Sequence, residues 1–162
     1  GKIISTVIIT ILSGVASFIG LAASMPNLGE MYGTVQTVNY SFITYVELFV
    51  LILMVSLIAS SIFLLASTVA KSTKEATTYA MPAYIIAMVV SMLTIFDTSM
   101  PSGVLPYIIP LYNLTIGLKG VLLTQITPMQ ILLICSSTII YFVGLMYLVT
   151  KLFKNEKIMF AK

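Results

Sequence analysis

Five carboxylates (Glu30, Glu47, Glu75, Asp97 and Glu156), eight lysines and one thiol, Cys135, are the charged and thiol groups from which a reaction centre could be assembled, and the chain has no histidine. General acid–base work needs paired carboxylates or a tuned imidazole, covalent catalysis needs a nucleophile beside a base, and a catalytic zinc needs clustered His, Cys or acidic ligands. Here the acids stand far apart in sequence, no hydroxyl or thiol has a histidine partner, and no glycine-rich stretch has the spacing of a phosphate loop with its lysine. A non-catalytic chain is therefore expected, with no metal and no cofactor of its own. The single Cys135 lies in an apolar run, so it cannot close an intramolecular disulfide and reads as a packing residue.

The distribution of charge is more telling than its chemistry. Lys2, Lys71, Lys74, Lys151, Lys154, Lys157 and Lys162 all sit just outside long uncharged stretches rich in Leu, Ile, Val and Met. Hydrophobic residues make up 59% of the chain and charged residues 8%, far below the roughly 25% of a soluble domain. Residues 3–24 form an uncharged run of 22, enough at about 1.5 Å per residue to cross a hydrocarbon core of about 30 Å. Residues 42–69, 80–96 and 128–150 give three more spans. The first has no cleavage site behind it and should stay in the membrane. Ser13, Ala16, Ser17 and Gly20 in that span, and Ala83, Ala87 and Ser91 in the third, are small residues at spacings that admit close helix packing.

Between the first two spans, residues 25–41 are polar, contain Pro26 and Gly29, and lack lysine, which fits an outer loop. The short stretch Lys71, Ser72, Thr73, Lys74 and Glu75 then reads as a cytoplasmic loop under the positive-inside rule, and Pro82 falls in the first turn of the third span. Residues 97–127, with Pro101, Pro106 and Pro110 ahead of a short helix over 111–123, suggest an outer re-entrant element shielded by protein. Residues 151–162 return to the inner side. The expected fold is an all-α polytopic transmembrane helical bundle, four spans plus an outer re-entrant helical element, forming one domain over 1–162 in the cell membrane with both termini cytoplasmic. The net charge of +3 then reports attraction to lipid headgroups and not a nucleic-acid partner.

Glu47 is the one acid inside a span, about five residues from its outer end, where it serves either an ion or substrate, or simply the interface and a neighbour such as Lys119. Asp97 ends the third span as a boundary or gating residue. The inner loop is either a docking point for a cytoplasmic partner or a solvated turn.

At that loop the sequence acquires a family likeness. Lys74-Glu75-Ala76-Thr77-Thr78-Tyr79-Ala80-Met81-Pro82 resembles the K-E-A-x-x-Y-x-x-P motif of type-2 ABC transporter permeases, closest to the sodium-export subgroup. Ile109-Pro110-Leu111-Tyr112-Asn113 and Leu118-Lys119-Gly120-Val121-Leu122 follow in order, similar to the family's I-P-x-x-N and L-K-x-x-L elements. Residues 153–160 resemble its F-x-x-E-K-I-x-F tail. The resemblance implies an exporter permease subunit that forms a translocation path, with ATP bound and hydrolysed by a separate cytoplasmic ABC ATPase coupled through Lys71 to Glu75. Glu47, Asp97, Asn113 and Lys119 become the candidate path residues. The chain matches the last four of the six spans such permeases have, so a second permease subunit or missing N-terminal spans are expected partners beside the lipid bilayer, and the initial Gly1 suits a piece of something longer. The alternatives are a non-transporting membrane scaffold or immunity protein, and, ranked last for want of intramembrane acids, an ion-coupled carrier.

Overall fold

A computed structural model describes residues 2–31, 40–97 and 100–159. Five α-helices follow one another: α1 (Lys2–Met31), α2 (Phe42–Val69), α3 (Thr73–Phe96), α4 (Tyr112–Leu122) and α5 (Pro128–Met159), with a 3₁₀ turn at Leu105–Tyr107 ahead of α4. No strand occurs among the described residues. Four of the helices are long and apolar enough to cross a membrane. The protein is a multi-pass, all-α bundle.

The helices are not equal partners. α2 is the hub, packing against α1, α3, α4 and α5, whereas α1 touches α2 alone. α1 runs antiparallel to α2. Thr10 Oγ1 donates to Ser60 Oγ at 2.6 Å, and Phe18 meets Phe49 edge-on with ring centroids 5.1 Å apart. Between these contacts Gly14 lets the backbones close up, since a Cβ there would stand 2.8 Å from Leu53 Cδ2. The small residues singled out from the sequence do something different. Ser13, Ala16, Ser17 and Gly20 all lie on the exposed side of α1, and Gly20 has open space where a Cβ would go. The expected packing role belongs instead to Gly14.

The core gathers Leu48, Leu51 and Ile52 of α2 with Tyr107, Leu114, Ile116, Val121 and Ile134. α4 contributes most densely for its length. Its 11 residues rise only about 16 Å, half of what a span needs, yet Asn113, Leu114, Ile116, Gly117, Gly120 and Val121 are all buried. Gly117 is required by this wedging, because a Cβ would lie 2.9 Å from Ile134 Cδ1 of α5 and 3.3 Å from both Leu51 Cδ atoms of α2.

Three boundaries differ from the sequence expectation. α1 stays helical to Met31, through Pro26, Asn27 and Gly29 and much of what reads as outer loop, against the low helix propensity of those residues. α3 begins at Thr73 and not at Ala80, so Pro82 sits inside the helix rather than in its first turn, and the inner loop shrinks to residues 70–72. α5 continues past Lys151 to Met159, carrying the start of the tail with it. In each case the helix outlasts the apolar run. Hydropathy marks where a membrane would begin, not where a helix must stop.

Candidate functional site

At one end of the bundle lie the start of α1, the connection between α2 and α3, and the far part of α5. Lys2, Lys71, Lys74, Lys151, Lys154 and Lys157 therefore occupy that end along the helix axes, and among the described lysines Lys119 alone stands at the other. The connection is held by reciprocal capping. Ser72, in an extended conformation at φ −141° and ψ 161°, accepts from the Glu75 N–H through its hydroxyl at 3.2 Å. Glu75 Oε2 turns back to accept from the Lys71 N–H at 2.7 Å. The spacing Ser72-x-x-Glu75 is the signature of a capping box, and it fixes the helix start one turn before Tyr79 and two before Pro82. Glu75 also places negative charge where the helix dipole favours it. Lys71, Ser72, Thr73 and Lys74 remain exposed and Glu75 is half-buried. Five residues read from the sequence as a loop are thus a two-residue approach followed by a rigid first turn.

At the opposite end, residues 97–127 leave α3 and return to α5 on the same side of the bundle. Their turns expose many backbone carbonyls, and inside a bilayer such groups need protein partners. Long-range donors supply them. Ser137 Oγ reaches Tyr107 O at 3.3 Å, Tyr141 Oη reaches Ile108 O at 3.0 Å, and Tyr40 Oη reaches Leu122 O at 3.2 Å. Tyr107, 1% exposed, donates its hydroxyl to Pro101 O at 3.3 Å and accepts from Gln130 Nε2 at 2.9 Å. Burial, and secondarily the charge that Tyr112 would carry, push the Tyr107 phenol above its ordinary range and keep it a neutral donor. Entry into α4 runs through Leu111 at φ +67°, an uncommon conformation for leucine, directly after Pro110. Exit is a Schellman motif: Gln125 N–H bonds Gly120 O at 2.8 Å, Thr124 N–H bonds Val121 O at 3.1 Å, and Thr124 takes φ +54°.

The four candidate path residues do not converge. Asn113 faces α5, where Nδ2 donates to Ser137 Oγ at 2.9 Å and Thr138 Oγ1 at 3.3 Å while Oδ1 accepts from Leu114 N–H. Lys119 faces α3 and caps it, its ammonium donating to Thr94 O at 3.0 Å and to Asp97 O. This is favourable charge at a helix C-terminus. Asp97 itself is exposed at the end of α3. Glu47 is half-buried in the second turn of α2, with no hydrogen bond or ion pair among the described residues, and the suggested Glu47 to Lys119 pairing is absent. Asn113 and Lys119 thus act as fasteners for α4. Sequence reasoning missed Tyr107, Gln130, Ser137 and Tyr141, which work through partners far along the chain. It also missed the Ser72 cap, which the Ser-x-x-Glu spacing could have revealed.

Between α2 and α3 lies an apolar groove, lined on the α3 side by Ala80, Ala83, Ala87 and Ser91. The small-residue stripe of the third span therefore leaves space instead of sealing it. Among the described residues no three Cys or acidic groups come together as a metal site would require. Comparison with family models, curated proteins and solved structures finds no match.

Proposed function

We propose that this chain is a membrane-spanning permease subunit of an ATP-driven ABC exporter, lying in the cell membrane with its lysine-rich end in the cytoplasm and so with both termini inside. A separate cytoplasmic ATPase binds and hydrolyses ATP, and this chain supplies no catalytic group. The observation that carries the reading is the placement of 74–82, the stretch similar to the K-E-A-x-x-Y-x-x-P motif. It opens α3 on a capped, rigid turn that exposes Lys71 and Lys74 at the charged end. A push on such a turn moves α3 as a body, the kind of transmission a conformational exporter needs.

Asn113, Asp97 and Lys119 are engaged in holding α4, so the translocation path is assigned to a face shared with a second permease subunit or further spans, not to the interior of this bundle. Sodium is the substrate suggested by the closest subgroup. The test is purification of the chain from its native membrane in mild detergent, followed by mass spectrometry. A stoichiometric ATPase bearing a phosphate loop is the expected result. Replacing Lys71 and Lys74 by Ser, with the Glu75 cap left intact, should release that ATPase while the chain remains inserted.

The exposed stripe Ser13, Ala16, Ser17 and Gly20 favours a second reading, a membrane scaffold or immunity protein that docks another helix on α1. Recovery of a helical membrane partner without any ATPase would select it.

A further inference from the structure

The side chains that tie residues 97–127 to the bundle also set how deep the segment goes. Ser137 Oγ reaches Tyr107 O at 3.3 Å, Asn113 Nδ2 reaches Ser137 Oγ at 2.9 Å, and Tyr141 Oη reaches Ile108 O at 3.0 Å. Residues 107–113 therefore share the level of Ser137, about 14 Å along α5 from Pro128 and close to the middle of the candidate span Pro128–Phe153. Lys119, bonded to Thr94 O, and Leu122, bonded to Tyr40, bring α4 back to the outer end. The turn at residues 108–110 is the deep tip of the segment.

At that depth an irregular backbone must be covered by protein or line water, because hydrocarbon offers its polar groups nothing. The cover supplied by this chain is incomplete. Ile108, Ile109 and Pro110 are exposed, and neither Pro110 O nor the Leu111 N–H has a hydrogen bond among the described residues. Water does not suit the site, since two isoleucines and a proline surround the open peptide and an ordered water needs two to four polar partners. The tip calls for a second polypeptide that brings a donor and an acceptor to the middle of the membrane.

Another face of the same chain carries such groups. Ser13 and Ser17 are exposed in the middle of the candidate span Ile4–Ser24. Ser24 and Ser56 return their hydroxyls to Gly20 O at 2.6 Å and Ile52 O at 2.9 Å, whereas Ser13 and Ser17 have no hydrogen bond among the described residues. A serine hydroxyl both donates and accepts, and the exposed Ala16 and Gly20 beside them let a partner's backbone come close. Two copies inserted in the same orientation keep their levels, so hydroxyls at mid-depth on one meet a peptide at mid-depth on the other.

We propose that the tip at residues 108–110 packs against α1 of a second copy of this chain, with Ser13 and Ser17 bonding the Pro110–Leu111 peptide. The contact does not rest on the exporter reading, because an exporter and a scaffold would both leave the tip uncovered without it.

The test takes the full chain from its native membrane, with whatever partners co-purify, into phosphatidylcholine vesicles, on a Cys135→Ser background. A nitroxide attached at Ile109→Cys is probed by electron spin resonance with oxygen, which concentrates in lipid, and with a water-soluble nickel chelate. Both collision rates should be low at that site, while the same label at Ile86→Cys on the exposed side of α3 should collide freely with oxygen. Ile109→Cys combined with Ser17→Cys should form, on oxidation, a product of two chains joined through those positions, as read by peptide mass spectrometry. Ser13→Ala with Ser17→Ala, at positions that touch nothing within the bundle, should weaken self-association by roughly threefold per hydrogen bond lost. Free nickel collisions at 109 would assign the tip to an aqueous path, and free oxygen collisions would assign it to lipid; either overturns the proposal. So does a link from 109 to a different protein, or a protected label without the link to 17. ATPase recovery from the same preparations reports separately on the exporter reading, because neither Ile109 nor Ser17 lies at the lysine-rich end.

Discussion

Where α2 turns into α3, the bonds that hold the connection are local: Ala70 N–H to Ala66 O, Lys71 N–H to Glu75, and Glu75 N–H to Ser72, none reaching beyond four residues. Where α3 passes to α5, residues 97–127 form local turns of their own, but those turns are tied to the bundle by Tyr40, Gln130, Ser137 and Tyr141, twenty to eighty or so positions away. The first region carries exposed lysines and its backbone can draw on water and headgroups. The second is buried at Tyr107 and along α4 but exposed at 102–105, 108–110 and 123–125, and the carbonyls of Pro101, Tyr107, Ile108 and Leu122 find side-chain donors. Short range suffices at the connection of α2 and α3. The segment from 97 to 127 adds side chains from across the chain to its own turns, so its attachment depends on the spans around it.

That contrast can be broken by substitution. The largest effect is expected for Gly117→Leu, which drives a side chain against Ile134 and Leu51 and forces α4 out of its seat, at a cost of about 3 kcal/mol. Unfolding in mixed micelles titrated with a denaturing detergent measures it. Gly20→Leu on the open side of α1 is the matched control and should cost less than about 0.5 kcal/mol; equal losses at the two glycines would refute the wedge. Asn113→Leu removes the amide that bonds Ser137 and Thr138 and should cost about 1.5 kcal/mol, near the upper end for hydrogen bonds between membrane helices. Lys119→Met leaves the last carbonyls of α3 without their cation, at about 1 kcal/mol, with faster amide exchange across α4 and the end of α3 together. The smallest global effect belongs to Ser72→Ala. A lost cap costs about 0.5–1 kcal/mol, and the faster exchange should stay within the first turn of α3, because that end is locally held. Spread of that exchange into α4 would erase the distinction between the ends.

Legibility in the sequence follows the same division. α2 runs over the residues its apolar run marks, and α4 lies within one residue at each end of the expected 111–123, because proline before and polar residues after bound it. The start of α3 is set by the Ser72 cap, which hydropathy does not register, and α1 and α5 likewise run beyond their apolar stretches. The candidate site divides likewise. Lys71 and Lys74 were visible as boundary charges, whereas Asn113 and Lys119 were visible only as polar residues in an apolar stretch. Their partners, two hydroxyls of α5 and two carbonyls of α3, depend on which helices become neighbours. Glu47 remains as the sequence left it, a carboxylate inside a span.

The order of donors and acceptors along the chain also constrains biogenesis. The carbonyls of Pro101, Tyr107 and Ile108 are made before Gln130, Ser137 and Tyr141, the side chains that hold them or hold their donor, have left the ribosome. The hairpin of α2 and α3 can close as soon as it is synthesised, since its bonds are sequence-local. α4 must wait, shielded at the translocon or near the interface, until α5 enters. Insertion of α5 is therefore the step that locks the molecule, and a chain truncated before residue 141 would leave residues 97–127 unfastened even with three spans in place.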